Sequence, residues 1–319
     1  MIGRNEADTL SRALQSVLAG SDPVVYVDSG SRDASSDIAR SSGADVIDLD
    51  PSRPFSVARG RNEGFRRAIA LKPDAQYVQF VDADSEICPT WCDVARAALD
   101  ADARIAAVFG RLRERNPDRS VFNRLYQAAF DSLAAHPEVC PGMSMMRVTA
   151  LADAGGFVEE LRGFEDSELS FRLRQAGWWI EHLDADMAIH DARMGTFGEW
   201  WSRQVRSGFS LGQEHAQHSQ SPSRYRRRES LSVWVWGFLL PALVLVTAIP
   251  SRGWSVLLLA AYPAMVLRIR RRYLRVNPAF TSPALYAASL MAGKFPEALG
   301  LARFRLSRWG RRRSEGRLA

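Results

Sequence analysis

Short apolar runs alternate with helical periodicities along the first 110 residues, and nothing else in the chain restricts its fold as strongly. Pro23-Val24-Val25-Tyr26-Val27, the stretch 44–49 and Tyr77-Val78-Gln79-Phe80-Val81 read as buried strands. Residues 8–18 carry Leu10, Ala13, Leu14, Val17 and Leu18 at helical spacing. Residues 31–41 and 59–70 read as further helices, the former capped by Ser31 or Asp33. This alternation predicts an α/β domain, a mostly parallel sheet with helices on both faces. A doubly wound domain needs a strand before its first helix, yet only Met1 and Ile2 are there to supply it. That strand is expected to be lost to a late start, which we favour, or clipped short. Beyond residue 110 the alternation stops. Residues 121–135 predict an amphipathic helix, 143–146 a strand, 167–175 a helix ended by Gly177, and 219–223 a linker-like break.

The 319 residues are 46% hydrophobic, enough for a sizeable core and against global disorder. The net charge of +6 comes from arginine, since Lys72 and Lys294 are the only lysines. Arginines cluster within 224–228, 268–275 and 308–317, whereas the first 200 residues are far more acidic. Such asymmetry points to nucleic acid or to an anionic membrane surface. The segments between the clusters favour the membrane. Residues 231–249 are nineteen positions without a charge, long enough to cross a bilayer. Residues 254–267 are a second charge-free run, and the turn between them holds only Arg252. Arginines on both flanks predict a transmembrane helical hairpin with both ends cytoplasmic, and Trp234, Trp236 and Trp254 near the interfaces. Residues 285–304 mix apolar positions with Lys294, Glu297 and Arg303, as in a helix lying on the membrane. The basic charge is then assigned to lipid headgroups, and no nucleic-acid partner is expected. Cys88, Cys92 and Cys140 suit a reducing compartment and lack zinc-site spacing, and no secretory signal opens the chain.

Gln79-Phe80-Val81-Asp82-Ala83-Asp84-Ser85-Glu86 sets carboxylates at the end of the third apolar run, where open α/β sheets hold ligands. Asp82 and Asp84 repel each other unless a cation lies between them. Oxygen ligands of this kind suit Mg²⁺ or Mn²⁺ bound together with substrate phosphates; the alternative is a solvated turn. Asp28-Ser29-Gly30-Ser31-Arg32-Asp33 follows an earlier strand, and Arg59-Gly60-Arg61-Asn62-Glu63-Gly64 opens a helix. Gly163-Phe164-Glu165-Asp166-Ser167-Glu168-Leu169 leads into Phe171-Arg172-Leu173-Arg174. In this order and spacing, the four motifs resemble the family 2 glycosyltransferases over residues 1–210.

The resemblance implies an A-type, Rossmann-like nucleotide-sugar-binding fold, and it distributes roles. Asp84 would bind the divalent metal, with Asp82 at the ribose or sharing the metal through water. Asp28 would contact the nucleoside, or else cap the helix after Gly30. Arg59 and Arg61 would reach diphosphate or base, or else be surface charge, and Asn62 would cap or pack. Asp166 takes the position of the general base for a single inverting displacement, and Glu165 that of a neighbour orienting the acceptor. Without the resemblance both read as first-turn acidity favoured by the helix dipole. His190 stands where several such enzymes carry a late histidine touching metal or phosphate; the alternative is a structural histidine. Residues 141–146 and Gly155-Gly156-Phe157 are expected to shape the backbone on the acceptor side. Trp200-Trp201-Ser202-Arg203-Gln204-Val205-Arg206 departs from the spacing of processive synthases, so processive synthesis is not expected.

These readings predict a catalytic domain over 1–210, a basic linker over 211–230, a hairpin over 231–267 and a basic membrane-surface tail over 268–319. The predicted protein is an inverting, metal-dependent glycosyltransferase of the inner (plasma) membrane, its catalytic domain cytoplasmic. It would move a sugar from a nucleotide-sugar donor to a lipid-linked or polysaccharide acceptor in cell-envelope or exopolysaccharide synthesis. A metal-dependent nucleotidyltransferase is the rival enzyme, but the Gly-rich, Lys-containing phosphate loop it needs is not found near the start. A non-catalytic membrane adaptor retaining the fold is opposed by intact Asp82, Asp84 and Asp166, and favoured only by the short first strand.

Overall fold

The computed structural model describes residues 1–18, 20, 22–218, 226–278 and 280–315. The linker-like break at 219–223, and Arg224 and Arg317 of the arginine clusters, lie outside the described residues. The chain forms two compact units. The first comprises Met1–Arg119, Ala129–Glu160 and Glu165–Arg193; the second comprises Ser120–Ala128, Leu161–Phe164 and Met194–Ala319.

The first unit opens with β1 (Ile2–Gly3), α1 (Ala7–Leu18), β2 (Val25–Asp28), α2 (Ser35–Ser41) and β3 (Asp45–Asp48). It continues through α3 (Val57–Leu71), β4 (Tyr77–Gln79), β5 (Ser85–Ile87), α4 (Trp91–Ala101) and β6 (Ile105–Glu114). After α5 (Val121–Asp131), which is divided between the units, come β7 (Met145–Arg147), α6 (Val148–Asp153), α7 (Glu165–Gln175) and β8 (Trp179–His190). β1, β2 and β3 pair in parallel, so a first strand is present but only two residues long. The other five strands run in the order β4-β7-β6-β8-β5, and only β6 and β8 are parallel there. Ile2 N donates to Val81 O at 3.1 Å and Ala83 N to Ile2 O at 2.9 Å, joining the two sheets through the stretch that ends in the carboxylates.

This is an α/β fold with a curled, mixed sheet, and the expected mostly parallel sheet is corrected. The βα alternation holds only through β4. Thereafter β5 pairs antiparallel to β8, and β7 inserts antiparallel between β4 and β6. The helix expected at 31–41 starts at Ser35, with Ala34 as a cap that makes no side-chain bond. Ser31 is taken up by Asp28 instead, and Asp33 accepts from Ser35 N at 3.1 Å.

The core follows from side-chain spacing. Trp91, Ala95 and Leu99 line one face of α4, four residues apart, and are fully buried against β6 residues such as Ala107, Val108 and Phe109. Each large side chain so buried contributes about 1.5–3 kcal/mol.

In the second unit, α8 (Phe197–Gln217) starts from a capping box in which Thr196 and Glu199 satisfy each other's backbone donors. Next come α9 (Arg227–Trp234), one π turn over Val235–Leu239 and α10 (Leu240–Thr247), together one apolar helix. A 3₁₀ segment, Trp254–Ala260, runs into α11 (Ala261–Val276), and α12 (Pro283–Glu315) closes the described chain. Among the described residues Arg227–Thr247 is the one helix long and apolar enough to cross a membrane. The run 254–267 is a 3₁₀ segment followed by seven α-helical residues, after which the helix turns charged at Arg268. α12, expected on a membrane surface, packs along α8. The contact is close enough that a Cβ on Gly208 would lie 2.0 Å from Glu297 O, and one on Gly300 2.0 Å from Val205 O. Only glycine lets the two backbones approach so far.

Candidate active site

The site grows from the carboxyl ends of the strands in the first unit, where Asp82 and Asp84 follow β4. β8 sets one of its corners by register. His190, its last residue, is paired with Ser85 of β5 on one side and Glu114 of β6 on the other. Its imidazole is thereby placed between Asp84 and Glu114. Nε2 lies 3.3 Å from Asp84 Oδ2, and Nδ1 lies 3.4 Å from Glu114 Oε2. Burial alone would lower the imidazole pKa, but these two carboxylates push it up to about 10. Burial raises the Asp84 carboxyl, and the imidazole outweighs it, leaving Asp84 below the usual range.

The opposite corner is organised by Arg61. α3 is capped by Ser56, whose hydroxyl accepts from Arg59 N, and its first turns bury residues 59–62. The Arg61 guanidinium donates to Glu165 Oε1 at 2.8 Å and to Asp82 Oδ1 at 3.2 Å, with the Phe157 ring 5.6 Å away. Burial opposes its charge, but Asp82, Glu165 and Asp166 more than compensate and raise its pKa. A Cβ on Gly142 would lie 2.0 Å from Arg61 Nη2, so the chain at 142 must be glycine for the guanidinium to sit there.

Glu165 and Asp166 begin α7, where the helix N-terminus favours negative charge. Their surroundings differ. Glu165 is buried and spent on Arg61; burial pushes its pKa up, against the pull of Arg61 and with Asp166 adding to the rise. Asp166 is half-buried and accepts only backbone donors, Gly142 N at 3.1 Å and its neighbour Ser167 N at 2.8 Å. Of the two, Asp166 is the carboxylate that an incoming group can reach.

Two expected donor-site residues are engaged elsewhere. Asp28 ends β2 fully enclosed, accepting from Ser31 N at 2.7 Å, Ser31 Oγ at 2.5 Å and Tyr26 Oη at 3.2 Å, which fixes the turn after the strand. Arg59 donates from Nη1 to Asp50 O and Arg53 O, both at 3.0 Å, and so braces the loop before α3. Asn62 packs, bonding both backbone groups of Phe157. The structure thus brings Arg61, Asp82, Glu165 and Asp166 into one array, and Asp84 and His190 into another, and ties Asp28 and Arg59 into loops. Glu114 was missed. Its signal was the apolar run 105–109, readable as a strand whose carboxyl end also points to the ligand side.

A divalent cation can be tested against these groups. Among the described residues no set of three or more His, Cys, Asp or Glu side chains is placed to hold a metal alone. Asp84 and His190 offer one oxygen and one nitrogen 3.3 Å apart, and Asp191 keeps a buried carboxylate oxygen, Oδ1, without a hydrogen-bond partner. A pair of protein ligands completed by substrate phosphates is the usual pattern for Mg²⁺. The residues fit such an ion.

Residues 1–154 match the family described as Glycosyl transferase family 2. That stretch, just under half of the chain, is similar to a glycosyltransferase domain. A TPR repeat-containing protein of Synechococcus elongatus is 36% identical over 115 residues, 36% of this chain. The match spans about a quarter of that relative's length (26%). The mannosyltransferase PcManGT of Pyrobaculum calidifontis, solved with GDP-Man and Mn²⁺, has a similar fold. The TM-score is 0.62 at 18% identity, covering 94% of this chain and 85% of that one.

Proposed function

We propose that the protein transfers a sugar from a nucleotide-sugar donor to an acceptor hydroxyl by a single inverting displacement, with Asp166 as general base. The observation that carries this reading is the contrast at the start of α7. Arg61 neutralises Glu165 and Asp82, while Asp166 is left reachable and held only by backbone N–H groups. Asp166 takes the proton of the acceptor hydroxyl as its oxygen bonds to the anomeric carbon and the bond to the diphosphate breaks. Glu165 orients the acceptor through the Arg61 array, and Asp82 faces the ribose side. Asp28 and Arg59 shape the donor site by fixing the loops after β2 and before α3. Asp84 and His190 hold Mg²⁺ or Mn²⁺, which when bound offsets charge developing on the leaving diphosphate.

We place the second unit at the cytoplasmic face of the inner membrane, where the acceptor is lipid-linked or a growing polysaccharide. Leu245, Val246, Ile249 and Trp254 are 76, 75, 90 and 74% exposed, and apolar surface on this scale marks a membrane or partner site. In this reading α9–α10 and the run 254–267 form a hairpin with Arg252 at the far headgroups, since an arginine at the bilayer centre costs about 2.5–3.5 kcal/mol. The test pairs a donor panel with product analysis. Membranes containing the full chain are given labelled nucleotide sugars, and the product linkage is read by NMR. Inverted configuration is expected, and retained configuration rejects the single displacement.

A further inference from the structure

Glu114 has no part in the reaction as described, yet it is 5% exposed and its carboxylate is held from two sides by backbone. Asn116 N donates to Oε1 at 3.3 Å and Ala192 N to Oε2 at 3.1 Å. A carboxylate fixed by backbone donors on both oxygens cannot turn to follow a partner, so the partner must conform to it. That partner is His190 Nδ1, 3.4 Å from Oε2. The register sets the two opposite each other on parallel strands, and the Phe130 ring packs edge-on to the imidazole at 5.3 Å, limiting its tilt. The far nitrogen, Nε2, then stands beside Asp84.

An imidazole binds a metal through one nitrogen and must carry its remaining proton on the other. The group hydrogen-bonded to that other nitrogen selects the tautomer and the ring orientation. We propose that Glu114 is the positioning residue that keeps the His190 proton on Nδ1 and presents Nε2, beside Asp84, to a divalent cation. The inference rests on the reading of Asp84 and His190 as the cation's ligands. Loss of such a supporting group costs about 10–100-fold in metal affinity.

The test is Mn²⁺ titration of the full chain, followed by EPR in the presence of inorganic diphosphate to complete the coordination. Glu114→Ala is expected to bind Mn²⁺ about 10–100-fold more weakly than wild type. Glu114→Gln, whose amide oxygen still accepts from Nδ1–H, is expected to recover part of that loss. In the Mg²⁺-loaded protein, ¹⁵N spectra of His190 should report a proton on Nδ1 alone in wild type and Glu114→Gln, and a mixture of the two tautomers in Glu114→Ala. A Glu114→Ala protein with wild-type Mn²⁺ affinity overturns the inference alone. A wild type that takes up no Mn²⁺ overturns the ligand reading beneath it. Should Glu114→Ala fail to fold, Glu114→Asp decides: it keeps the charge and shortens the reach by one methylene, so tenfold weaker binding supports the role and unchanged binding refutes it.

Discussion

Arg61 and Glu165 lie 104 positions apart in the chain and meet at 2.8 Å, both side chains almost closed to solvent. The pair joins the helix after the third strand to the helix that carries Asp166. Removing one partner of a buried ion pair leaves the other charge uncompensated, at a cost of about 3–5 kcal/mol. Arg61→Met is expected to lose stability on that scale in urea unfolding, and Arg61→Lys less. Two proteins of equal stability would mean that the array carries no net charge coupling.

Gly142 is the space Arg61 occupies. Gly142→Ala puts a methyl 2.0 Å from Nη2, which forces the guanidinium off Asp82 and Glu165. Overpacking of this kind costs about 1–3 kcal/mol. Turnover should fall together with the melting temperature, while Gly155→Ala, whose Cβ meets nothing within 4 Å, is strained only by its φ of +73°. Circular-dichroism melts of the two variants, beside their turnover, separate loss of space from loss of backbone freedom.

Asp166→Asn keeps the shape of the helix start and removes the proposed base. General-base contributions are about 10²–10⁴-fold, so transfer should fall by that factor, with donor affinity within a few-fold of wild type. Isothermal titration with the donor nucleotide checks the second half. Donor binding that vanished with activity would move Asp166 into the donor site.

Much of the candidate site could be read before the fold was known, because strand ends and helix starts announce themselves locally. Asp84 follows an apolar run, and Glu165-Asp166 follows Gly163 at a helix start. Arg61 was named as a candidate, but its partners could not be, since Asp82 and Glu165 are 21 and 104 positions away. β8 was the main omission. Trp-Ile-Glu-His-Leu-Asp-Ala-Asp alternates polar and apolar residues weakly, and its strand state comes from pairing with β5 and β6 rather than from its own composition. With β8 unread, the sheet looked parallel and Glu114 had no visible purpose. The second apolar run reads as one continuous stretch, and the structure divides it into 3₁₀ and α segments that become charged at Arg268.

Cys140 gives a pH-dependent check on the enclosure of the site. Burial pushes its thiol up to about 12, with smaller contributions from Ser144 and Arg61, which lower it, and from Asp166, which adds to the rise. Because the folded pKa is raised, the stability it contributes is full below the unfolded value, about 8.5, and is lost as the pH climbs through about 12. Only thiolate reacts with iodoacetamide. At pH 8 the native protein should therefore resist modification at Cys140 until urea is added, as read by mass spectrometry of tryptic peptides. Rapid labelling in the native state would show that the site opens to solvent.

Leu243 is half exposed in the middle of the apolar helix Arg227–Thr247. Leu243→Arg is expected to shift the protein from the carbonate-resistant membrane pellet towards the supernatant, since a charge at mid-span costs about 2.5–3.5 kcal/mol. Wild type that is itself released by carbonate would remove the membrane assignment.

The central claim is that Asp84 and His190 hold a divalent cation on which sugar transfer depends, and donor turnover measures it directly. Purified full-length protein is given labelled nucleotide sugars with Mn²⁺, with EDTA, and as the Asp84→Asn variant with Mn²⁺. Turnover is predicted with Mn²⁺ alone, falling at least about a hundredfold in each of the other two conditions, a loss of about 2.7 kcal/mol of transition-state stabilisation. Wild-type turnover in EDTA, or in Asp84→Asn, would contradict it.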